Sequence, residues 1–128
     1  MDWEYIKDKI LVWGEDEYVF SDIFVSIIGE NSTNQDLVTT TYVMLRELMN
    51  EKLIDVFVLE NKVYMDKKIV DNILYKYETK EDIENFIIKI DKEWTMLNYQ
   101  LPNPDKLFWL TTTEKGKELI LLNDNIYK

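Results

Sequence analysis

The fold of this chain is decided by the stretch Thr41–Ile54, which reads TYVMLRELMNEKLI. Tyr42, Leu45 and Leu48 recur at the three-residue spacing that places side chains on one face of an α-helix. The apolar pair Leu53-Ile54 follows at the point where such a helix would end. The pattern predicts an amphipathic helix that runs directly into the first residues of a β-strand.

A second informative stretch lies far downstream. Phe108–Thr111 reads FWLT and predicts a strand, and Glu114–Ile120 reads EKGKELI and predicts the start of a helix. Together the two stretches resemble winged-helix regulators of the MarR/PadR type, whose pattern is roughly T-x-Y-x-x-L-x-x-L-x-x-x-G-L-I. The resemblance covers about half of the chain, and Lys52 stands where the pattern has glycine. It implies a DNA-binding winged helix with its recognition helix over 37–52.

The other elements are predicted from apolar spacing and from helix and turn signals. The first helix carries its apolar face on Trp3, Ile6, Ile10 and Trp13. We expect helices over 3–13, 18–28, 67–77, 80–96 and 114–122, with Gly14 and Gly29 ending the first two. We expect a hairpin of strands 55–59 and 62–65, and a strand over 107–112.

The predicted fold class is α+β and mainly helical. It is a single winged-helix-like domain, 1–128, with a small antiparallel sheet and a helical insertion at about 66–106 between the wing strands.

Composition restricts the function. The chain has 25 acidic and 15 basic residues, a net charge of −10, and Arg46 is its only arginine. Proteins that bind nucleic acid gain most of their affinity by neutralising phosphates with Lys and Arg. Residues 36–52 contain two basic and three acidic residues, a sum of −1, although Thr39, Thr40 and Thr41 could touch phosphates or base edges. Charge and shape therefore disagree, and nucleic-acid binding is disfavoured.

Cysteine and histidine are both absent. Their absence removes disulfides, thiolate zinc sites and the commonest neutral-pH acid–base catalyst. The sequence has neither a glycine-rich phosphate loop nor the acid spacing of a calcium loop. We therefore expect no catalytic residue, no metal site and no cofactor, so the chain is not predicted to be an enzyme. No apolar run is long enough to span a membrane and the N-terminus lacks signal-peptide features, which favours a cytoplasmic protein without a membrane partner.

Negative charge is concentrated in the N-terminal third. Residues 1–34 contain eight acids and two lysines, a sum of −6, and Trp13 and Tyr18 lie beside these acids. A negative field next to aromatic anchors attracts and holds a basic protein partner. The alternative is an acidic surface that only keeps the protein in solution, and the sequence does not separate the two. The candidate partner-binding residues are Glu15, Asp16, Glu17, Tyr18 and Asp22.

By size, charge and lack of catalytic residues, the chain resembles the small acidic immunity proteins of bacterial toxin systems. That resemblance implies a non-catalytic inhibitor that occludes the active site of a basic, nuclease-type toxin, with carboxylates in the places of substrate phosphates. Two alternatives stay open. One is a winged-helix transcription regulator with atypical charge, which would dimerise to present two recognition helices. The other is an adaptor that uses a winged helix only for protein contacts.

Overall fold

The described part of the chain alternates helices with short strands. The computed structural model describes residues 3–16, 18–31, 36–58, 63–65, 68–70, 73–102 and 107–127. Within these ranges the helices are α1 (Trp3–Asp16), α2 (Ser21–Asn31), α3 (Leu37–Asn50), α4 (Lys80–Met96) and α5 (Glu114–Tyr127). The strands are β1 (Val19–Phe20), β2 (Ile54–Val58), β3 (Val63–Met65), β4 (Lys68–Val70), β5 (Ile73–Tyr75) and β6 (Phe108–Thr112). No helix in this part of the chain combines the length and the apolar character needed to cross a membrane.

The strands form two antiparallel sheets. Four of them lie in the order β1-β6-β2-β5, and β3 pairs with β4 in a separate two-stranded sheet. In β6, Leu110 lies opposite both Val19 of β1 and Val56 of β2. These three side chains are fully buried, so this face of the larger sheet belongs to the core. The predicted fold class, α+β and mainly helical with a small antiparallel sheet, is confirmed.

The segment between β2 and β6 differs from the prediction in its first half. Of the described residues within 67–77, all but Lys76 and Tyr77 form β4 and β5, so the predicted helix there is wrong. The predicted hairpin of β2 with β3 is also wrong, because β3 pairs with β4 while β2 pairs with β5 and β6. Ile69, Val70 and Ile73 are β-branched, lose rotamer freedom in a helix and fit a pleated strand. Apolar spacing alone did not separate the two states.

Helix α4 begins and packs as predicted. The Thr79 side chain accepts a hydrogen bond from the Asp82 backbone N–H (3.3 Å), and the Asp82 carboxylate accepts one from the Thr79 N–H (3.1 Å). This capping box satisfies two amide groups that the first helical turn leaves without partners. The buried face of α4 consists of Ile83, Phe86, Ile87, Ile90 and Trp94.

At the end of α3, the residue that stands where the winged-helix pattern has glycine adopts a glycine-like backbone conformation. Lys52 has φ 58°, the left-handed conformation that favours glycine. Its N–H donates to the carbonyl of Met49 (3.0 Å), and the N–H of Leu53 donates to the carbonyl of Leu48 (2.9 Å). These two bonds are those of a Schellman turn, which directs the chain from α3 into β2. The predicted passage from helix to strand is confirmed. The left-handed conformation of Lys52 lowers the stability of the fold, because a side chain at Cβ disfavours it.

Thr112 of β6 lies where α1 and α5 approach the sheet most closely. Its hydroxyl donates to the carbonyl of Leu11 (2.6 Å). A Cβ added to Gly14 would lie 2.6 Å from Thr112 Oγ1, and one added to Gly116 would lie 2.6 Å from the carbonyl oxygen of Leu53. Helix α1 continues through Gly14 to Asp16, so the prediction that this glycine ends the helix is wrong. Both glycines are needed for close backbone contact.

We expect Gly116→Ala to lower the free energy of unfolding by about 1–3 kcal/mol, because the added methyl group meets a backbone oxygen that cannot rotate away. Gly29→Ala is the matched control. Gly29 lies inside α2 and not at its end as predicted, and a Cβ there would be at an ordinary 3.8 Å from Leu37. It should therefore stabilise the helix by about 0.5–1 kcal/mol. Urea unfolding measures both, and a Gly116→Ala variant as stable as the parent would contradict the close contact.

Lys52→Gly should raise the free energy of unfolding by about 0.5–1 kcal/mol. The substitution removes the cost of a left-handed non-glycine residue, about 1–2 kcal/mol, and part of that gain is offset by the larger backbone entropy of unfolded glycine. Lys92→Gly removes the same charge from an exposed position inside α4. It should destabilise by about 1 kcal/mol. If both variants shift the urea midpoint in the same direction, the conformational explanation fails.

Candidate protein-binding surface

The predicted partner-binding residues lie on three consecutive elements. Glu15 is half-buried in the last turn of α1, and Asp16 is the last residue of that helix. Glu17 lies outside the described residues. Tyr18 is exposed immediately before β1, and Asp22 is half-buried in the first turn of α2. The described members therefore lie at the corner where α1 passes into β1 and α2.

Tyr18 is an exposed aromatic side chain on a rigid support. Its ring lies 5.3 Å from that of Trp109 and 5.7 Å, edge to face, from that of Phe57. Phe20 also packs on Trp109, with ring centroids 4.9 Å apart. The ring of Trp109 is buried (3% exposed), and it holds the ring of Tyr18, which is 41% exposed, in place at the surface. An aromatic ring held in this way loses little entropy on binding, as the anchors of protein interfaces require.

The acids beside Tyr18 have no basic partner in the described part of the chain. Neither Glu15 nor Asp22 forms an ion pair with a described residue. Oδ1 of Asp22 is inaccessible to solvent and lacks a hydrogen-bond donor among the described residues. The position of Asp22 near the N-terminus of α2 favours negative charge, because the first-turn amide groups carry a partial positive charge. Neither Glu15 nor Asp22 is therefore committed to an internal ion pair with a described residue.

Trp13 was predicted on the apolar face of α1, but it is 51% exposed. The buried face of the helix is rotated towards Lys7, Leu11 and Gly14. The rotation has two causes: β6 passes beside Gly14, and carboxylates of α3 bind Lys7. Tyr5 and Val12 are each 50% exposed on the outer side of the same helix. Helix α1 thus presents a second apolar stripe outside the core.

Lys7 is a buried lysine that connects α1 to α3. Its ammonium group lies 2.6 Å from a carboxylate oxygen of Glu51 and 3.4 Å from one of Glu47, which also accepts a hydrogen bond from Trp3 Nε1 (2.8 Å). Burial acts to lower the pKa of Lys7, but the hydrogen bond to Glu51 and the charges of Glu47, Glu51 and Glu4 together raise it. Lys7 therefore stays charged and is committed to internal contacts.

The helix that resembles a recognition helix is largely covered. Thr40 and Thr41 are buried, and their hydroxyl groups donate to the carbonyls of Asp36 (2.9 Å) and Leu37 (2.8 Å). Thr39 is exposed, but its hydroxyl donates to the Asp36 carboxylate that caps the helix (2.9 Å). The expectation that three threonines could touch DNA is therefore wrong for Thr40 and Thr41. Burial and capping account for all three hydroxyl groups.

Helix α4 covers another side of α3. Tyr42 donates its hydroxyl hydrogen to Asp91 (2.7 Å), and its ring lies 5.9 Å, edge to face, from that of Trp94. The guanidinium of Arg46 donates through Nε to both oxygens of Glu84, at 2.8 and 3.1 Å. The only arginine in the chain is thus paired with a carboxylate on α4. A phosphate contact by Arg46 would have to use its Nη groups, and the carboxylate of Glu84 beside them would repel the phosphate.

The larger sheet has four strands in the order β1-β6-β2-β5 and carries the corner that holds Tyr18. Comparison with protein-family models, with curated proteins and with solved structures finds no match. Within the described ranges, no group of three or more acidic side chains is placed to hold a metal ion.

Stability should fall as the pH rises above 10, the usual pKa of tyrosine. Burial and the hydrogen bond to Asp91 raise the pKa of Tyr42, and burial raises that of Tyr77. In this range the unfolded chain releases both protons while the folded protein retains them, so unfolding becomes more favourable with each step in pH.

Tyr42→Phe provides the test of this dependence. At neutral pH the variant should be less stable by about 1–3 kcal/mol, because a hydrogen bond to a charged group is lost. It should also lose less stability than the parent between neutral pH and about pH 11, because one perturbed proton is absent. Urea unfolding at a series of pH values measures both effects. Parallel pH curves for parent and variant would show that Tyr42 does not contribute.

Proposed function

We propose that this chain is a non-catalytic acidic inhibitor that binds a basic protein partner, and most simply an immunity protein that neutralises a nuclease-type bacterial toxin in the cytoplasm. The observation that carries the proposal is the covering of α3. The helix best shaped to read DNA has Thr40 and Thr41 buried and Arg46 paired with Glu84. Meanwhile Tyr18 is exposed beside Glu15 and Asp22, two half-buried acids that form no ion pair with a described residue.

A winged-helix scaffold is part of this proposal. The order α1-β1-α2-α3-β2-β6, with β6 between β1 and β2, is the arrangement that the resemblance to MarR/PadR regulators implies. In such regulators a short wing joins the last two strands. Here residues 59–107 join them and include α4, which packs on α3. The insertion favours protein contacts over DNA contacts, because it occupies the side of α3 that carries Tyr42 and Arg46.

The mechanism is electrostatic occlusion. A nuclease active site is basic because it binds a polyphosphate, so a net charge of −10 steers the inhibitor towards it. Carboxylates at 15–22 then take the places of phosphates, and the supported ring of Tyr18 provides an apolar anchor at the centre of the contact. The inhibitor needs no catalytic group, since it acts by excluding the substrate.

Co-expression with the product of the neighbouring reading frame, followed by purification, tests for the partner. Neutralising the four acids with Glu15→Gln, Asp16→Asn, Glu17→Gln and Asp22→Asn should slow association with that toxin by about 10-fold or more at low salt. The effect should shrink as salt is added, because screening weakens steering. Surface plasmon resonance measures both rates.

The control variant carries the same change in net charge at exposed acids elsewhere: Glu78→Gln, Glu81→Gln, Glu114→Gln and Glu118→Gln. It should retain most of the association rate, because these acids lie outside the α1–α2 corner. Equal slowing by both variants would mean that only net charge matters and that the corner is not the contact surface. Failure to recover a complex with any co-encoded toxin would count against the immunity function itself.

A DNA-binding regulator remains the second candidate because the strand order favours a winged helix. A gel shift with the DNA upstream of its own gene, at about 50 mM salt where phosphate contacts are strongest, separates the two. We expect no shift, because the exposed residues Thr39, Val43 and Asn50 of α3 are uncharged and the partly exposed Arg46 is paired with Glu84. A specific shift under these conditions would favour the regulator.

A further inference from the structure

The outer face of α1 exposes three large apolar side chains that the core does not use. Tyr5 and Val12 are seven residues apart and lie on one side of the helix, with Trp13 at its edge. Each is about half-exposed. Single exposed apolar residues need no explanation, but a tryptophan, a tyrosine and a valine along one helix form the kind of stripe that partners cover.

The charges around this stripe select its partner. Glu4, Asp8 and Glu15 lie on α1 with one basic residue on the outer side, Lys9, so the local sum is −2. At its C-terminal end α1 continues directly into the acidic corner that holds Tyr18. Lys9 lies between Tyr5 and Val12 on the same face. The apolar part of the stripe is therefore its C-terminal end, where Val12 and Trp13 lie close to Glu15 and the acidic corner.

We propose that the outer face of α1 seats an amphipathic segment of the basic partner, with an apolar stripe against Val12 and Trp13 and with Lys or Arg residues against the bordering acids. This inference rests on the proposed function and extends its contact surface from the acidic corner onto α1. The distance from Tyr5 to Trp13 along the helix is about 12 Å, which corresponds to two turns of a partner helix.

A second copy of this chain is a poor occupant for the same face. Two α1 helices packed through their outer stripes would bring the acids that border each stripe towards each other, and like charges at an interface are repulsive. The exposed apolar residues of α4 provide a contrast. Ile88 and Met96 are more exposed than Trp13, but α4 does not continue into the acidic corner that holds Tyr18, whereas α1 does.

Two synthetic peptides test the proposal without knowledge of the natural partner. One is an 18-residue peptide of leucine and lysine in which the leucines recur at helical spacing. The other has the same composition in a scrambled order that forms no apolar stripe. At about 50 mM salt, we expect the striped peptide to bind the full chain at least 10-fold more tightly in isothermal titration calorimetry, because only it can cover Val12 and Trp13 with apolar groups while its lysines meet the neighbouring acids.

Trp13→Ala, alone and combined with Val12→Ala, should weaken binding of the striped peptide by about 10-fold or more and leave the scrambled peptide unaffected. Ile88→Ala combined with Met96→Ala is the matched control, since it removes comparable exposed apolar groups from α4. It should leave both affinities unchanged. Circular dichroism spectra and urea midpoints equal to those of the parent confirm that the variants fold.

The outcomes separate this inference from the proposed function. If both peptides bind equally and Trp13→Ala changes neither affinity, the α1 stripe is not an anchor, although the acidic corner could still hold cations. If neither peptide binds at low salt, the acidic surface does not attract basic segments and the proposed function fails as well. A concentration-dependent dimer that Trp13→Ala abolishes, seen by analytical ultracentrifugation, would overturn the inference by making a second copy the occupant.

Discussion

The packing of α4 on α3 is the constraint on which the functional interpretation of this protein depends. The tyrosine that the winged-helix pattern places on the recognition helix, Tyr42, here hydrogen-bonds to Asp91 and packs against Trp94. The exposed ion pair of Arg46 with Glu84 adds little stability, because solvent screens it. Burial of the Tyr42 and Trp94 rings is the larger contribution. Because these rings are buried between α3 and α4, this side of α3 is not available to a ligand.

The turn that follows α4 adds hydrogen bonds to Trp94 and Asp91, the two α4 residues that contact Tyr42. Asn98 and Tyr99 both have φ 55°, a left-handed conformation that costs about 1–2 kcal/mol for each non-glycine residue. The surrounding contacts outweigh that cost: Trp94 Nε1 donates to the carbonyl of Gln100 (2.8 Å), and the Tyr99 hydroxyl donates to Asp91 (3.0 Å). The same carboxylate therefore receives hydroxyl groups from α3 and from this turn. These hydrogen bonds stabilise the strained backbone of the turn, which places Tyr99 beside Asp91.

Local signals in the sequence were sufficient where one chemical requirement determined the structure. The capping residues Thr79 and Asp82 correctly place the start of α4, and the apolar pair after Lys52 correctly places the passage from α3 to β2. Both features depend on neighbouring residues only, so a single sequence contains them. The stretch Thr41–Ile54 likewise predicts the burial of Leu45 and Leu48.

Predictions failed where distant parts of the chain determined the outcome. Gly14 reads as a helix breaker, but its role is to admit Thr112, which is almost a hundred residues away in sequence. Residues 67–77 have apolar spacing that fits a helix or a strand, and the choice depends on pairing partners in β2 and β3. Of the candidate site, Tyr18 was selected as an aromatic anchor because of its acidic neighbours, whereas its support by Trp109 could be seen only from the sheet register.

The exposed stripe on α1 follows in part from how the protein buries one charge, together with the close approach of β6 to Gly14. A lysine in the interior is tolerated only when carboxylates surround it, and Glu47 and Glu51 provide them from α3. Helix α1 must turn Lys7 towards α3 to make these contacts, and the opposite side of the helix then faces outwards. That side carries Tyr5 and Val12, with Trp13 at its edge. If the predicted apolar face of α1, which includes Trp13, had packed squarely on the core, Trp13 would have been buried. The internal ion pair and the outer apolar stripe are thus two results of one helix rotation, and any substitution that releases Lys7 from α3 should also change how Trp13 is presented to a partner.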